Sequence, residues 1–208
     1  MGLVAALVSL LGYPVYLLDM LGPGHGGWRK RAFDALRLRG GTRPRLVSWV
    51  IWTALQAVIF LGARAGGATD TNWLPVAYFL GCLSVGVVAW RLGDRTLGRV
   101  DLGFGALAVL SLALLVGARE PRAALILAIL TDALAGAPTL WSVWREPRHE
   151  SLAGWLFFLA GGLLNMLAFP VLQDWTFEVV GYTLVVVAQQ GFVVGWILLA
   201  SRRARTGG

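Results

Sequence analysis

The chain is short of charge, has one cysteine and one lysine, and each shortage removes a class of function. Only 14% of its 208 residues are charged while 57% are hydrophobic. A soluble domain carries about 25% charge, so composition alone reads as a membrane protein. Cys82 has no second thiol to pair with, which excludes an intramolecular disulfide and leaves redox chemistry unsuggested. The two histidines, His25 and His149, fall in different polar stretches and give no metal-ligand spacing. No phosphate-cradling G-x-x-x-x-G-K stretch occurs, so ATP-driven work by this chain is unsupported. Lys30 lies outside every apolar run, so no retinal Schiff base can form inside a bundle. No nucleophile–base or metal constellation converges, and neither an enzyme nor a cofactor is expected.

What the chain has instead is long uncharged runs. They cover roughly 2–21, 46–63, 73–90, 102–118, 123–144, 152–172 and 175–200, each near the ~20 residues a membrane helix needs. The first lacks a basic flank and a small-residue cleavage site, and reads as a retained helix rather than a signal peptide. Of 18 basic residues, 15 fall in the segments after the first, third, fifth and seventh runs; only Arg64, Arg119 and Arg122 lie on the other side. The positive-inside rule then places the N-terminus outside a cell membrane and the C-terminus in the cytoplasm. The net charge of +7 is therefore a topology signal, and nucleic acid is not an expected partner.

The runs contain a repeat. "GYPVYLL" (12–18) resembles "GAPTLWS" (136–142), and "RPRLVSWVIW" (43–52) resembles "EPRHESLAGW" (146–155). Pro44/Pro147, Ser48/Ser151 and Trp52/Trp155 are each 103 apart, and Tyr78/Tyr182 are 104 apart. Such repeats are how many transporters are built. Two three-helix units joined directly would insert in opposite senses. The near-featureless fourth run inverts the chain so that both point the same way. The expected fold is all-α integral membrane, with seven transmembrane helices in a 3+1+3 parallel-repeat arrangement. Residues 1–92 form the first unit, with an inserted basic loop at 22–45. Residues 93–121 carry the linker helix, 122–201 the second unit, and 202–208 a basic cytoplasmic tail. Within the inserted loop, "WRKRAFDALRLR" (28–39) has helical apolar spacing against a basic face. It reads as a short interfacial helix or as a solvated loop.

This layout, with a proline in the first helix of each unit, resembles the SWEET and PQ-loop superfamily of small transporters. Within it, "TDALAGAPTLWSVWREPRHES" (131–151) together with "RPRLVSWVIW" is similar to a bacterial seven-helix branch in which TD-x5-PT-x4-W-x2-P-x2-E recurs. The Trp-rich second helix is also similar to the nicotinamide riboside carriers. The resemblance implies a carrier with its solute site at the midplane between the two units.

Asp132 is the sharpest single feature. An acid at the bilayer centre costs ~2.5–3.5 kcal/mol on insertion scales and usually faces a cavity or a partner. Asp132, Ala135, Gly136 and Thr139 would form one stripe at i, i+3, i+4 and i+7. The acid is either a neutral hydrogen-bonding group or a proton site, unless it merely caps a backbone irregularity. Trp52 and Trp155, symmetric across the repeat, could stack on a solute or anchor in lipid, whereas Trp49 reads as a belt residue. Gln56, Asn165, Tyr78, Tyr182 and Gln189 would add neutral polar groups, either lining a site or joining helices. Pro14 and Pro138 break mid-span hydrogen bonds and would serve as hinges or static bends. Arg148, His149 and Glu150 read as an ordinary solvated turn, and Asp101 as a helix-terminal charge.

The expected function is alternating-access transport of a neutral or weakly charged small metabolite, sugar-like or nucleoside-like, with proton coupling left open. The expected partners are that solute and the lipid bilayer, with homo-oligomerisation left open. A non-transporting seven-helix receptor, sensor or sorting protein on the same scaffold is the alternative.

Overall fold

The computed structural model describes residues 2–22, 27–36, 38, 40, 42, 44–65, 67, 72–145, 147, 150–172 and 177–206. Within these helices it leaves undescribed the side chains of 28–29, 137–138, 141–142, 168–172, 178–179 and 203–206. Trp28, Arg148 and His149 therefore lie outside what can be placed, as does most of the basic tail. The described chain is all-helical and has no strand. Its helices are α1 (Gly2–Leu21), α2 (Gly27–Ala35), α3 (Leu46–Ala65), α4 (Trp73–Leu92), α5 (Arg99–Val116), α6 (Pro121–Ala135), α7 (Ala137–Arg145), α8 (Leu152–Leu172) and α9 (Phe177–Thr206). Five are long and apolar enough to cross a membrane: α1, α3, α4, α5 and the Val180–Arg202 part of α9. The chain is thus compatible with an all-α membrane protein.

The distribution of side chains supports the same conclusion. Leu7, Leu11, Val87, Val109 and Leu167 stand exposed on the outer faces, while Ser9, Gln56, Asp132, Asn165 and Gln190 are buried. This reverses the usual ordering of a water-soluble domain, and the apolar exterior calls for a hydrocarbon solvent. On α5 only Asp101, Ala108 and Ser111 are buried, so one edge of that helix is packed.

The helices pack in a definite order. α4 packs against both α1 and α3, and α9 packs against α8, α6 and α7. α1 lies along α8 and α3 along α6, while α5 rests on α3 and α6. The α1–α8 approach depends on small residues. A Cβ on Gly161 would come within 1.9 Å of Ser9 Oγ and 2.7 Å of the Ala5 carbonyl. A Cβ on Gly81 of α4 would sit 2.1 Å from the Tyr13 ring of α1. Such contacts let backbones pack tightly in a solvent that provides no hydrophobic drive.

One expectation changes. The fifth apolar run is not one helix: it breaks at Gly136, with α7 beginning at the next residue. Pro138 falls in the first turn of α7, where a missing N–H costs little, whereas inside a continuous helix its ring would crowd the Leu134 carbonyl. Pro14, by contrast, sits exposed inside a continuous α1, a helix that packs against α4 and α8. The basic insertion does form a helix, α2, with Phe33 buried and Lys30 paired to Asp34 at 2.9 Å. Asp19 of α1 holds the following segment, accepting hydrogen bonds from Gly40 N at 2.8 Å and Thr42 Oγ1 at 2.9 Å.

At the start of α5, Asp101 Oδ2 accepts from the Gly98 amide at 2.7 Å and from Arg45 at 2.6 Å. The acid caps its own helix and ties it to the start of α3.

Candidate functional site

α1, α3, α4, α6, α8 and α9 all contribute to a cavity of about 60 Å³. Aromatic rings make most of its wall. Tyr13 lies edge-on to Trp49 and Tyr78, Trp49 edge-on to Trp52 at 5.3 Å, and Trp155 edge-on to Phe158 at 5.7 Å. Tyr78 and Tyr182, the pair from the repeat, meet edge-on with centroids 6.3 Å apart. A cavity of this size holds a few waters. A pocket for a metabolite is several times larger, ~300–1,000 Å³ for drug-sized ligands. A ligand of that size would fit only with the helices further apart.

One polar chain crosses this aromatic box. Gln56 Nε2 donates to Asp132 Oδ1 at 3.1 Å, and the Tyr182 hydroxyl donates to Gln56 Oε1 at 2.6 Å. Three helices, α6, α3 and α9, are joined through one amide. The second oxygen of Asp132 accepts from no described residue, and no cation lines the cavity. Elsewhere in the lining Gln190 Nε2 donates to the Tyr78 hydroxyl, and Gln190 Oε1 is buried without a partner among the described residues. The cavity thus offers free acceptors beside aromatic faces, which suits a neutral or weakly cationic polar ligand that donates hydrogen bonds.

Gln189 lines the cavity and also repairs the helix break. Its Nε2 donates to the Ala133 carbonyl at 2.9 Å, in the last turn of α6. A Cβ on Gly136 would approach that nitrogen to 2.8 Å, so glycine there leaves room for the amide. The irregularity is thus served by Gln189, and the Asp132 carboxylate faces the cavity instead.

Behind one wall of the cavity stands a residue that reads in the sequence as a solvated turn. Glu150 Oε2 accepts from Trp155 Nε1 of α8 at 2.9 Å and from the Tyr16 hydroxyl of α1 at 3.4 Å. Trp155 is itself a cavity wall. Burial pushes the Glu150 carboxyl up to about 7, partly offset by these two hydrogen bonds, and Asp19 nearby adds to the rise.

The structure brings together Asp132, Gln56, Trp52, Trp155, Tyr78, Tyr182 and Gln189. It does not bring Asn165 to them. Asn165 is fully buried between α8 and α9, donating to Thr183 Oγ1 at 2.9 Å, and joins helices. Thr139 is also outside the lining. Trp196 stacks on Trp144 of α7 with centroids 3.8 Å apart, away from the cavity. Trp49 is buried against Tyr13, Tyr16 and Trp52 rather than set in an interfacial belt. Its spacing of three from Trp52 signals the shared face. Tyr13, Cys82, Phe158, Val186 and Gln190 complete the wall; Gln190, beside Gln189, stands out as a neutral amide in an apolar run, whereas the apolar surroundings of Cys82, Phe158 and Val186 give no hint of a site. No family model, curated protein or solved structure matches this chain, so the reading of the site rests on its own geometry.

Proposed function

We propose that the chain is a small carrier of the SWEET-like kind, moving a neutral or weakly charged metabolite across a cell membrane by alternating access. The observation that carries the reading is the Asp132–Gln56–Tyr182 chain inside an aromatic cavity. The packing order supports the repeat behind it: α4 joins α1 and α3 as α9 joins the α6–α7 pair and α8. On this reading α6 and α7 together make the fifth crossing, α8 the sixth, and α5 the linker of a 3+1+3 bundle. The N-terminus is outside and the basic loops are cytoplasmic.

The cavity then lies between the two units, where a repeat transporter places its site. Glu150, Tyr16 and Trp155 close its cytoplasmic end. Asp132, with one oxygen free, binds the solute or exchanges a proton with it. Gly136 is the flexible joint of the second unit, and Pro14 the fixed bend of the first.

A thermal-shift screen of small metabolites on purified protein, repeated across pH, identifies the solute class. Uptake into reconstituted vesicles then tests the acid. Asp132→Asn keeps the Gln56 hydrogen bond and is expected to abolish proton-linked uptake while leaving the fold intact. Undiminished uptake would remove Asp132 from the mechanism.

A further inference from the structure

A hollow larger than the central cavity lies elsewhere on the described surface. Between α3 and α4, on the outer face of the bundle, lies a groove of about 540 Å³. We propose that it holds one acyl chain of an anionic phospholipid of the cytoplasmic leaflet, with the headgroup phosphate against Arg91. The proposal needs α3 and α4 to cross a bilayer with the Arg91 end on the cytoplasmic side, and does not depend on transport.

Three observations carry it. The groove runs from Leu46 and Arg91 at one end to Ala54 and Leu83 at the other. Eight residues of helix at 1.5 Å each give ~12 Å, close to one leaflet's half of a ~30 Å hydrocarbon core. Its floor and walls are apolar, including Val50, Val87 and Trp90, all exposed. Its one cationic lining residue, Arg91, stands at one end. Arg91 has no carboxylate partner among the described residues. Beside it Arg95 lies over the Trp90 ring at 5.5 Å. The nearest acid in sequence, Asp94, is taken by Thr96, whose amide and hydroxyl both donate to it at 2.8 Å. An apolar slot one leaflet deep with a free guanidinium at its mouth matches a phospholipid in both shape and charge.

The site also has a route to the cavity. α3 presents Val50 and Ala54 to the groove, and Trp49, Trp52 and Gln56 to the cavity. Across from α3, a Cβ on Gly86 would be 3.9 Å from the Trp49 Cβ. A chain in the groove would brace the wall that carries Gln56.

Native mass spectrometry of the purified protein with phosphatidylglycerol or phosphatidylcholine of identical acyl chains tests the proposal. One phosphatidylglycerol should be retained in preference to phosphatidylcholine. Arg91→Gln should weaken that retention about tenfold, the loss of one charge-assisted contact. Arg64→Gln, at the other end of α3, should leave it unchanged. Ala54→Phe should fill the groove and remove bound lipid of both kinds; where that variant does not fold, Arg91→Gln alone decides. Equal retention of both lipids, no effect of Arg91→Gln, or an equal effect of Arg64→Gln would overturn the proposal. So would a dimer that Ala54→Phe dissolves, which would give the groove to a second copy.

Discussion

Gln56 Nε2 lies 3.1 Å from Asp132 Oδ1, and the same amide takes the Tyr182 hydroxyl on its oxygen. Gln56 is 2% exposed and Asp132 4%, so each depends on the other for a partner. Gln56→Leu leaves a buried carboxyl and a buried phenol unpaired, and should cost about 1–3 kcal/mol. Asp132→Asn retains an acceptor for the amide and should cost less. Thermal unfolding of both variants in one detergent checks the order. A Gln56→Leu protein as stable as the parent would show that the chain does not hold the three helices together.

The Glu150 latch should make stability depend on pH. Its carboxyl goes from an ordinary 4.5 to about 7 on burial. An acid whose folded value is raised favours the folded state most when protonated. That contribution is fully present below about 4.5 and is lost as pH rises through about 7. The parent protein should therefore lose stability relative to Glu150→Gln over this window, read as a difference in unfolding temperature. The groups facing Glu150 are Tyr16 and Asp19 of α1 and Trp155 of α8, and Asp19 adds to the rise. A constant difference across the window would show that Glu150 titrates as a solvated turn residue.

Gly161→Ala should separate α1 from α8. The new Cβ would meet Ser9 Oγ at 1.9 Å and backbone atoms of Ala5 and Ser9 within 2.8 Å. No rotamer change relieves contacts with backbone, so a loss of about 1–3 kcal/mol follows. Unfolding in detergent measures it. A neutral result would mean the two helices pack less closely than the structure has them.

Asn165→Leu should weaken the α8–α9 junction by about 1 kcal/mol without altering ligand-dependent thermal shifts. Its amide serves Thr183 and lies outside the cavity. Loss of the ligand response with stability retained would return Asn165 to the site.

Much of this was legible in sequence because membrane helices are specified by composition and length, which are local properties. Asp132, Gln56 and the symmetric aromatics stood out because a polar group in an apolar run needs a partner or a cavity. The break at Gly136 was less legible. Gly-x-Pro occurs in both units, yet only one copy interrupts its helix, and the difference lies in what packs alongside. Glu150 was hidden for the same reason. Its partners Tyr16 and Trp155 are 134 and 5 residues away, and nothing in its own neighbourhood marks it as enclosed. Trp49 looked like a belt residue until tertiary packing placed Tyr13 and Tyr16 against it.

The central claim is that the cavity opens alternately to both sides of the membrane, and Cys82 tests it without knowledge of the solute. This only cysteine of the chain lines the cavity and is 4% exposed. Its reaction with a membrane-impermeant thiol reagent can be timed in right-side-out and in inside-out vesicles. Alternating access predicts labelling from both faces. It also predicts that Glu150→Ala, which removes the latch, quickens labelling from the cytoplasmic face and slows it from the other. Labelling from one face alone, or from neither, would contradict a carrier and favour a receptor with a fixed pocket.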